Sequence, residues 1–140
     1  ASESASRPEL NSSKAKRQRN KFMTDDKTYT LDATQQSLGR LASAAAKALM
    51  GKTRPDYEPR LSSGVKVRIT NAGKIHLREK KRLQKTYTSY SGYPGGFKKE
   101  TLAHVTDRPG NSEAIRRAVS RMLPRNSLKV ARMKNLIITE

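Results

Sequence analysis

Between residues 28 and 70, the spacing of the apolar residues changes from that of a strand to that of a helix and back. Residues 28–33 (TYTLDA) have the composition of a strand, and Ser37 is a suitable N-cap for a helix. Apolar residues then recur every three or four positions up to Gly51, which predicts the C-terminal stop. Residues 65–70 (VKVRIT) alternate strictly between apolar and polar. Strand, helix and strand in this order predict a right-handed βαβ unit and an α/β fold.

The remainder of the chain predicts a hairpin, several helices and a last strand. Proline and glycine at the second and third positions of residues 93–96 favour a type II turn. The other predicted elements are a strand over 85–90, helices over 98–107, 112–123 and 126–133, and a strand over 136–139.

Positive charge is spread over the body of the chain. The 140 residues include 30 Lys and Arg against 12 Asp and Glu, and 23 of the basic but only eight of the acidic residues follow residue 27. Leu, Ile, Val and Phe make up 24 residues, a low share that is typical of disordered chains when the net charge is high. Such a chain is either unfolded alone or completed by a polyanion. The excess of one sign favours nucleic acid as the partner.

Residues 1–27 carry seven Lys and Arg, four acidic residues and almost no apolar periodicity. We predict a basic, flexible N-terminal arm there and a folded domain over 28–140. The run 14–21 (KAKRQRNK) leaves two roles for the arm open. It is either a disordered solubilising leader or an RNA-binding extension that orders on contact.

Two glycine motifs suggest nucleotide or nucleic-acid loops but do not fit them. Gly51-Lys52-Thr53 matches the end of a P-loop, yet the first glycine of that motif would fall at Ala46, and the triplet follows a helix instead of preceding one. The GxxG pattern of residues 92–95 matches KH domains, but Pro94 removes one of the backbone N–H groups that such a loop uses. We reject both interpretations.

Catalysis and metal binding find little support. The chain has no Cys, His76 and His104 are 28 residues apart, and the close carboxylate pair Asp56 and Glu58 lies in a Pro-flanked loop. No apolar run approaches the roughly 18 residues that cross a bilayer. We therefore expect a soluble intracellular protein that is not an enzyme, has no metal, cofactor, small-molecule substrate or membrane contact, and does not form homo-oligomers.

Residues 78–99 combine three features of an RNA-binding surface. Cations neutralise phosphates, tyrosines stack on bases or bond to phosphate and ribose, and glycines let backbone N–H groups approach closely. The alternative is a hairpin with Tyr in the core and Lys outside, which explains Tyr87 but not the glycine pair. The predicted RNA-binding residues of this segment are Lys80, Lys81, Arg82, Lys85, Tyr87, Tyr90, Tyr93, Gly95, Gly96, Lys98 and Lys99.

A second basic cluster runs from residue 116 to residue 134, with Glu113 as the nearby acid. A solvated helix face normally carries compensating Glu, so this excess also indicates RNA. Its predicted contacts are Arg116, Arg117, Arg121, Arg125, Lys129, Arg132 and Lys134. The first helix and the residues after it add Arg40 and Lys47, which lie opposite the apolar face, then Lys52, Arg54 and Lys74.

Six short motifs follow one another in a familiar order and spacing. They are residues 38–43 (LGRLAS), Gly51-Lys52, Tyr57 with Pro59, Asn71-Ala72 with Lys74-Ile75, residues 92–96 (GYPGG) followed by Lys98, and residues 122–126 (MLPRN) with Leu128. Over residues 28–140 the chain thereby resembles the thirteenth protein of the large ribosomal subunit, the universal L-thirteen family. The Tyr-Pro-Gly-Gly turn is similar to the bacterial and organellar branch of that family.

The resemblance implies a three-layer α/β/α domain with a small, mainly parallel four-stranded sheet. It implies a structural constituent of the cytoplasmic or organellar ribosome that binds and neutralises large-subunit rRNA, beside other ribosomal proteins, and supports early subunit assembly. Residues 60–65 (RLSSGV) replace the acidic loop that is usual in the family. The tail rich in His, Ala and Gln that follows the last strand in the family does not follow Glu140, which leaves open whether the arm reaches the RNA that such a tail covers.

The motifs leave one functional alternative open. An RNA-binding regulator of translation, acting on mRNA away from the ribosome, would carry the same charge and the same motifs.

Overall fold

The computed structural model describes residues 24–25 and 28–140, and a parallel sheet lies at its centre. The strands are β1 (Thr24–Asp25), β2 (Thr28–Asp32), β3 (Lys66–Thr70), β4 (Thr86–Tyr90), β5 (Phe97–Thr101) and β6 (Leu136–Ile138). The helices are α1 (Leu38–Met50), α2 (Glu79–Gln84), α3 (Leu102–Asp107), α4 (Asn111–Met122) and α5 (Leu128–Lys134), with a 3₁₀ turn at Ala72–Lys74. The arm predicted over 1–27 lies outside the described residues, except for β1.

The central sheet has the strand order β1-β2-β3-β6. β3 pairs in parallel with β2 on one side and with β6 on the other, while the two-residue β1 pairs antiparallel with β2 at the edge. A second sheet consists of the antiparallel pair β4 and β5. The predicted α/β class and the parallel pairing of the first two strands of the βαβ unit are therefore confirmed.

Helix α1 connects β2 to β3 and forms as its sequence predicts. Ser37 occupies the N-cap in an extended conformation, although its side chain makes no capping hydrogen bond. Gly51 ends the helix with φ 80°, and its N–H donates to the carbonyl of Ala48 at 2.9 Å. A left-handed residue at this position is the usual end of a helix and favours glycine. The apolar face of α1 is buried against the sheet and α4.

The two faces of the parallel sheet differ. Leu31, Val67, Ile69 and Leu136 point to the inner face, where they join the apolar core with α1 and α4. The intervening residues form the opposite, outer face, and Lys66, Arg68 and Ile137 are exposed there. Among the described residues no helical layer covers this outer face, so the three-layer prediction is not confirmed.

The segment from α2 to α3 differs in part from the prediction. Residues 97–101 form β5, in register with β4 from Thr86 opposite Thr101 to Tyr90 opposite Phe97, so the helix predicted over 98–107 is wrong in its first half. Pairing with β4 satisfies the backbone of this charged stretch, which has no apolar periodicity of its own. The helix begins at Leu102, where Thr101 caps it by accepting a hydrogen bond from the His104 N–H. Helix α2, which has no buried residue, was not predicted.

The described residues bury two apolar clusters. We call β2, α1, β3, α4 and β6 the scaffold, and residues 78–107, which include α2, β4, β5 and α3, the hairpin region. The scaffold holds the large cluster. The small cluster consists of Tyr87, Leu102 and Val105 with Ala114 of α4, and Leu77 packs against it. The hairpin region is thus attached to the scaffold mainly through α4.

Candidate RNA-binding surface

The exposed side of α1 carries the cations that its periodicity predicts. Arg40 and Lys47 are exposed, and together with Gly39, Ser43 and Thr53 they line a shallow depression. The two cations lie two turns apart on the helix, and the depression between them is bordered by small side chains. This side of α1 can therefore receive a phosphate backbone without steric obstruction.

Two more predicted cations follow α1. The Lys52 ammonium lies 5.8 Å from the centre of the Tyr57 ring, a cation–π distance, and remains exposed. Arg54 is half-buried at the edge of a pocket that Tyr57 and Glu58 also line. The basic side of α1 thus continues past its C-terminus.

The tip of the β4–β5 hairpin presents aromatic rings to solvent. Tyr90, Tyr93 and Phe97 are all exposed. Gly95 has φ 74°, and the Gly96 N–H donates to the Tyr93 carbonyl at 2.9 Å, the geometry of the predicted type II turn. Exposed rings on a basic hairpin have the arrangement by which RNA-binding proteins stack on unpaired bases. Phe97 was missed from the sequence, although it directly follows the glycine pair.

The base of the hairpin region is basic on the side of α2. Lys80, Lys81 and Lys85 line a surface depression with Arg78 and Gln84. Across the hairpin, Lys98 and Lys99 of β5 are exposed. Arg82 differs from these cations because it donates to Asp107 at 2.6 Å, an ion pair that connects α2 to the end of α3. Its charge is therefore partly compensated within the protein.

Tyr87 lies beneath the hairpin and not on its surface. Its ring is only 8% exposed and packs in the small cluster. Three cations surround it, with the Arg121 guanidinium at 5.1 Å, the Arg117 guanidinium at 5.2 Å and the Lys85 ammonium at 5.7 Å from the ring centre. The core-hairpin alternative is correct for this residue, because its ring holds cations in place and is not accessible for stacking on a base.

Arg117 connects the hairpin region to α4. Its Nε donates to Glu113 at 3.0 Å within the helix, and its Nη1 donates to Glu100 of β5 at 3.2 Å. The hydrogen bond to Glu113, and then the one to Glu100, raise the pKa of the Arg117 guanidinium above its ordinary value, although partial burial opposes this. The two carboxylates compensate the charge of this guanidinium within the protein and fix its position between α4 and β5.

The other cations of the second basic cluster divide by exposure. Arg116, Arg121, Arg125 and Lys134 are exposed, and Lys129 is half-buried. Arg132 is a correction to the prediction, because its side chain is only 2% exposed and one Nη donates weakly to the Leu61 carbonyl at 3.5 Å. Its Nε has no hydrogen-bond partner among the described residues. Docking of α5 near residue 61 places this guanidinium in the interior, apart from the exposed cations of the cluster.

Most of the exposed positive charge has no acidic partner. Within residues 28–140, ion pairs involve three basic side chains, those of Arg60, Arg82 and Arg117. The exposed cations on α1, the hairpin region and α4 are left to solvent or to a polyanion. In the same part of the chain no group of three or more His, Asp or Glu side chains could hold a metal ion. None of its helices is long and apolar enough to cross a membrane.

The fold and the exposed surface together indicate the class of protein to which this chain belongs. A small α/β domain whose exposed cations greatly outnumber its acids, and whose hairpin presents aromatic rings, has the properties of an RNA-binding protein. The family model described as Ribosomal protein L13 matches residues 26–139, and the chain belongs to this family. The resemblance deduced from the motifs is confirmed.

Individual relatives cover most of the chain. Large ribosomal subunit protein uL13 of Cyanothece sp. is 46% identical over 104 residues, which are 74% of this chain and 69% of the relative. The protein of the same name from Aquifex aeolicus is 46% identical over 110 residues, 79% of this chain and 76% of the relative. That of Mycoplasmopsis synoviae is 40% identical over 119 residues, 85% and 82%. These relatives are bacterial, in agreement with the branch that the Tyr-Pro-Gly-Gly turn predicts.

Proposed function

We propose that this chain is a structural constituent of the large ribosomal subunit that binds large-subunit rRNA, neutralises its charge and supports early subunit assembly. Family membership and the names of the relatives support the ribosomal role. The observation that carries the RNA-binding part is the exposed cations without acidic partners on a folded domain. The family, and not the lack of a catalytic cluster, supports the prediction that the chain is not an enzyme.

The proposed RNA-binding surface differs from the prediction by two omissions and one addition. Tyr87 and Arg132 are omitted because both are buried. Arg82 and Arg117 are kept only as partly compensated charges. The remaining contacts are Arg40, Lys47, Lys52, Arg54, Lys74, Lys80, Lys81, Lys85, Tyr90, Tyr93, Gly95, Gly96, Lys98, Lys99, Arg116, Arg121, Arg125, Lys129 and Lys134, and Phe97 is added.

The finer predictions on organisation belong to the same proposal. We propose residues 28–140 as the rRNA-binding domain and residues 1–27 as a basic extension. A three-layer arrangement would need a cover on the outer face of the sheet. The protein acts as one copy in the cytoplasmic ribosome, beside other large-subunit proteins and away from membranes, and an organellar ribosome is the alternative location.

Salt dependence of binding tests the electrostatic basis of this function. With about eight phosphates neutralised, the logarithm of the affinity of the full chain for a large-subunit rRNA fragment should fall with log salt at a slope of about −6 to −7. Filter binding or fluorescence anisotropy between 0.1 and 0.5 M salt measures it. An affinity that does not change with salt would contradict the proposal.

A matched pair of variants tests the surface itself. Arg40→Gln/Lys47→Gln should make the slope shallower by about 1.4 to 1.8, since each phosphate contact contributes about 0.7 to 0.9. Arg60→Gln/Arg108→Gln removes the same charge at exposed positions outside the proposed surface. Equal changes in the two variants would mean that net charge, and not this surface, determines binding.

Sedimentation separates residence in the ribosome from translational regulation. A tagged copy of the chain in a high-salt gradient should sediment with the large subunit. Recovery at the top of the gradient would favour the regulator that binds mRNA.

A further inference from the structure

The alternation of the parallel strands places the following residues on the outer face of the sheet: Thr28, Thr30 and Asp32 of β2, Lys66, Arg68 and Thr70 of β3, and Ile137 of β6. Sheets of parallel strands are normally covered on both faces. Here α1 and α4 cover the inner face, whereas Lys66 and Arg68 are exposed and Ile137 is 41% exposed on the outer one. A parallel sheet with one basic, open face lacks a layer that some partner can supply.

The register aligns these side chains across three strands. Thr30 of β2, Arg68 of β3 and Ile137 of β6 are direct neighbours in one row, and Thr28 is the neighbour of Lys66 in the row beside it. Side chains two residues apart on one strand point to the same face about 7 Å apart. Lys66 and Arg68 therefore project side by side, with threonine hydroxyls next to them on β2.

Neither cation on this face is neutralised among residues 28–140. Lys66 and Arg68 take no part in the ion pairs of this part of the chain. Among residues 28–140, the carboxylate of the sheet nearest to Arg68 is that of Asp32, one row further along β2. The Thr34 N–H and hydroxyl and the Asn71 side-chain amide all donate to its Oδ1. The positive charge of the outer face is thus directed to solvent.

We propose that the outer sheet face docks on the sugar–phosphate backbone of rRNA, so that RNA supplies the layer that the protein lacks. This inference rests on the proposed function and extends it to a surface that the sequence motifs do not indicate. Lys66 and Arg68 neutralise phosphates, the hydroxyls of Thr28 and Thr30 donate to phosphate or ribose oxygens, and Ile137 packs against a ribose.

Charge and composition favour RNA as the occupant of this face over the N-terminal segment of the chain or a protein partner. Residues 1–23 carry six Lys and Arg against two Glu, so this segment would bring like charge onto the face. A protein partner would be expected to find an apolar centre, but Ile137 is the exposed apolar side chain in these rows. A polar, hydroxyl-rich and positive face fits the composition of nucleic-acid interfaces.

Lysine acetylation of the full chain, read by mass spectrometry, tests occupancy. Lys66 should react in the free protein, be protected when a large-subunit rRNA fragment is bound, and react again after release in high salt. Protection in the free protein would show that another segment of the chain covers the face and would overturn the proposal. Reactivity that persists in the RNA complex would overturn it while leaving the proposed function intact, whereas failure to bind rRNA would overturn both.

Paired variants test the energetic contribution. Lys66→Gln/Arg68→Gln should make the salt slope shallower by about 1.4 to 1.8 and lower the affinity at 0.1 M salt at least about tenfold. Arg60→Gln/Arg108→Gln is the control of equal charge, and circular dichroism checks that both variants are folded. An affinity loss no larger than that of the control would overturn the proposal.

Discussion

In the scaffold, one apolar cluster runs from β2 through α1 to α4, whereas the hairpin region buries only Tyr87, Leu102 and Val105 together with Ala114 of α4. Ion pairs and cation–π contacts at Arg82, Arg117 and Tyr87 supplement this small cluster. The exposed aromatic rings and many of the exposed cations lie in the same hairpin region. Apolar burial is therefore least where we place much of the RNA contact, and bound RNA would stabilise that region most.

Matched leucine truncations should show the largest difference between the two regions. Leu41 in the scaffold and Leu102 in the hairpin region are both fully buried. Leu41→Ala should lower the free energy of unfolding by about 2–5 kcal/mol, as expected for a cavity in a large core. Leu102→Ala should cost less in global unfolding, because the small cluster can collapse around the cavity. Urea denaturation measures both.

Hydrogen exchange gives the control for this pair. Leu102→Ala should accelerate exchange in residues 78–107 and leave α1 and β3 protected, since regions with little apolar burial open locally. Equal acceleration throughout the chain would show that the two clusters unfold as one unit and would remove the basis of the comparison.

Replacement of two glycines with positive φ should give the next largest difference in stability between the scaffold and the hairpin region. Gly51 (φ 80°) ends α1, and a Cβ there would lie 2.7 Å from the Cβ of Ser63, whereas a Cβ at Gly95 (φ 74°) meets nothing within 4 Å. In both replacements, Ala in the left-handed backbone conformation lowers the stability by about 1 kcal/mol. Only Gly51→Ala adds a steric clash. Gly51→Ala should therefore have the lower thermal midpoint, and equal midpoints would argue against this packing of Ser63.

Arg117 tests whether charge contacts hold the hairpin region to the scaffold. Arg117→Met keeps an unbranched side chain but removes the hydrogen bonds to Glu113 and Glu100 and the charge beside Tyr87. Because these ion pairs are partly exposed, we expect a loss of about 1 kcal/mol in the opening free energy of residues 86–101. Hydrogen exchange measures this loss. Arg116→Met, an exposed neighbour on the same helix, is the control and should change it little.

The parts of the fold that the sequence predicts are those with a regular apolar period. In α1 and β3 the period of the sequence matches the burial observed, and Gly51 ends the helix as expected. Helix α2 buries no side chain and so has no apolar period to detect. Strand β5 forms because its backbone hydrogen-bonds to β4. The local sequence of this charged stretch contains no pattern that indicates the pairing.

The candidate site follows the same division. Exposed cations such as Arg40 and Lys47 are indicated by their place opposite an apolar face. The burial of Arg132 depends on how α5 docks near Leu61. These two residues are 71 positions apart, so no local sequence pattern indicates their contact. The exposure of Lys66 and Arg68 is also predictable, since the alternation of residues 65–70 directs them away from the core.

The smallest expected effect concerns pH and belongs to the scaffold. The hydrogen bond from Asn71, with those from Thr34, lowers the pKa of Asp32 from its ordinary value of 3.8. A carboxyl group whose pKa is lower in the folded state stabilises the fold fully above its unfolded pKa, and this contribution is lost as the pH falls through the folded value. The advantage of the native chain over Asp32→Asn in the free energy of unfolding should thus be constant from pH 7 to 5 and shrink below pH about 4. Urea denaturation at pH 7, 5, 4 and 3 measures it, and exchange in residues 86–101 should be the same in both proteins at each pH. An advantage that persists unchanged at pH 3, or a variant that alters the hairpin region, would show that Asp32 acts through something other than these hydrogen bonds at the edge of the sheet.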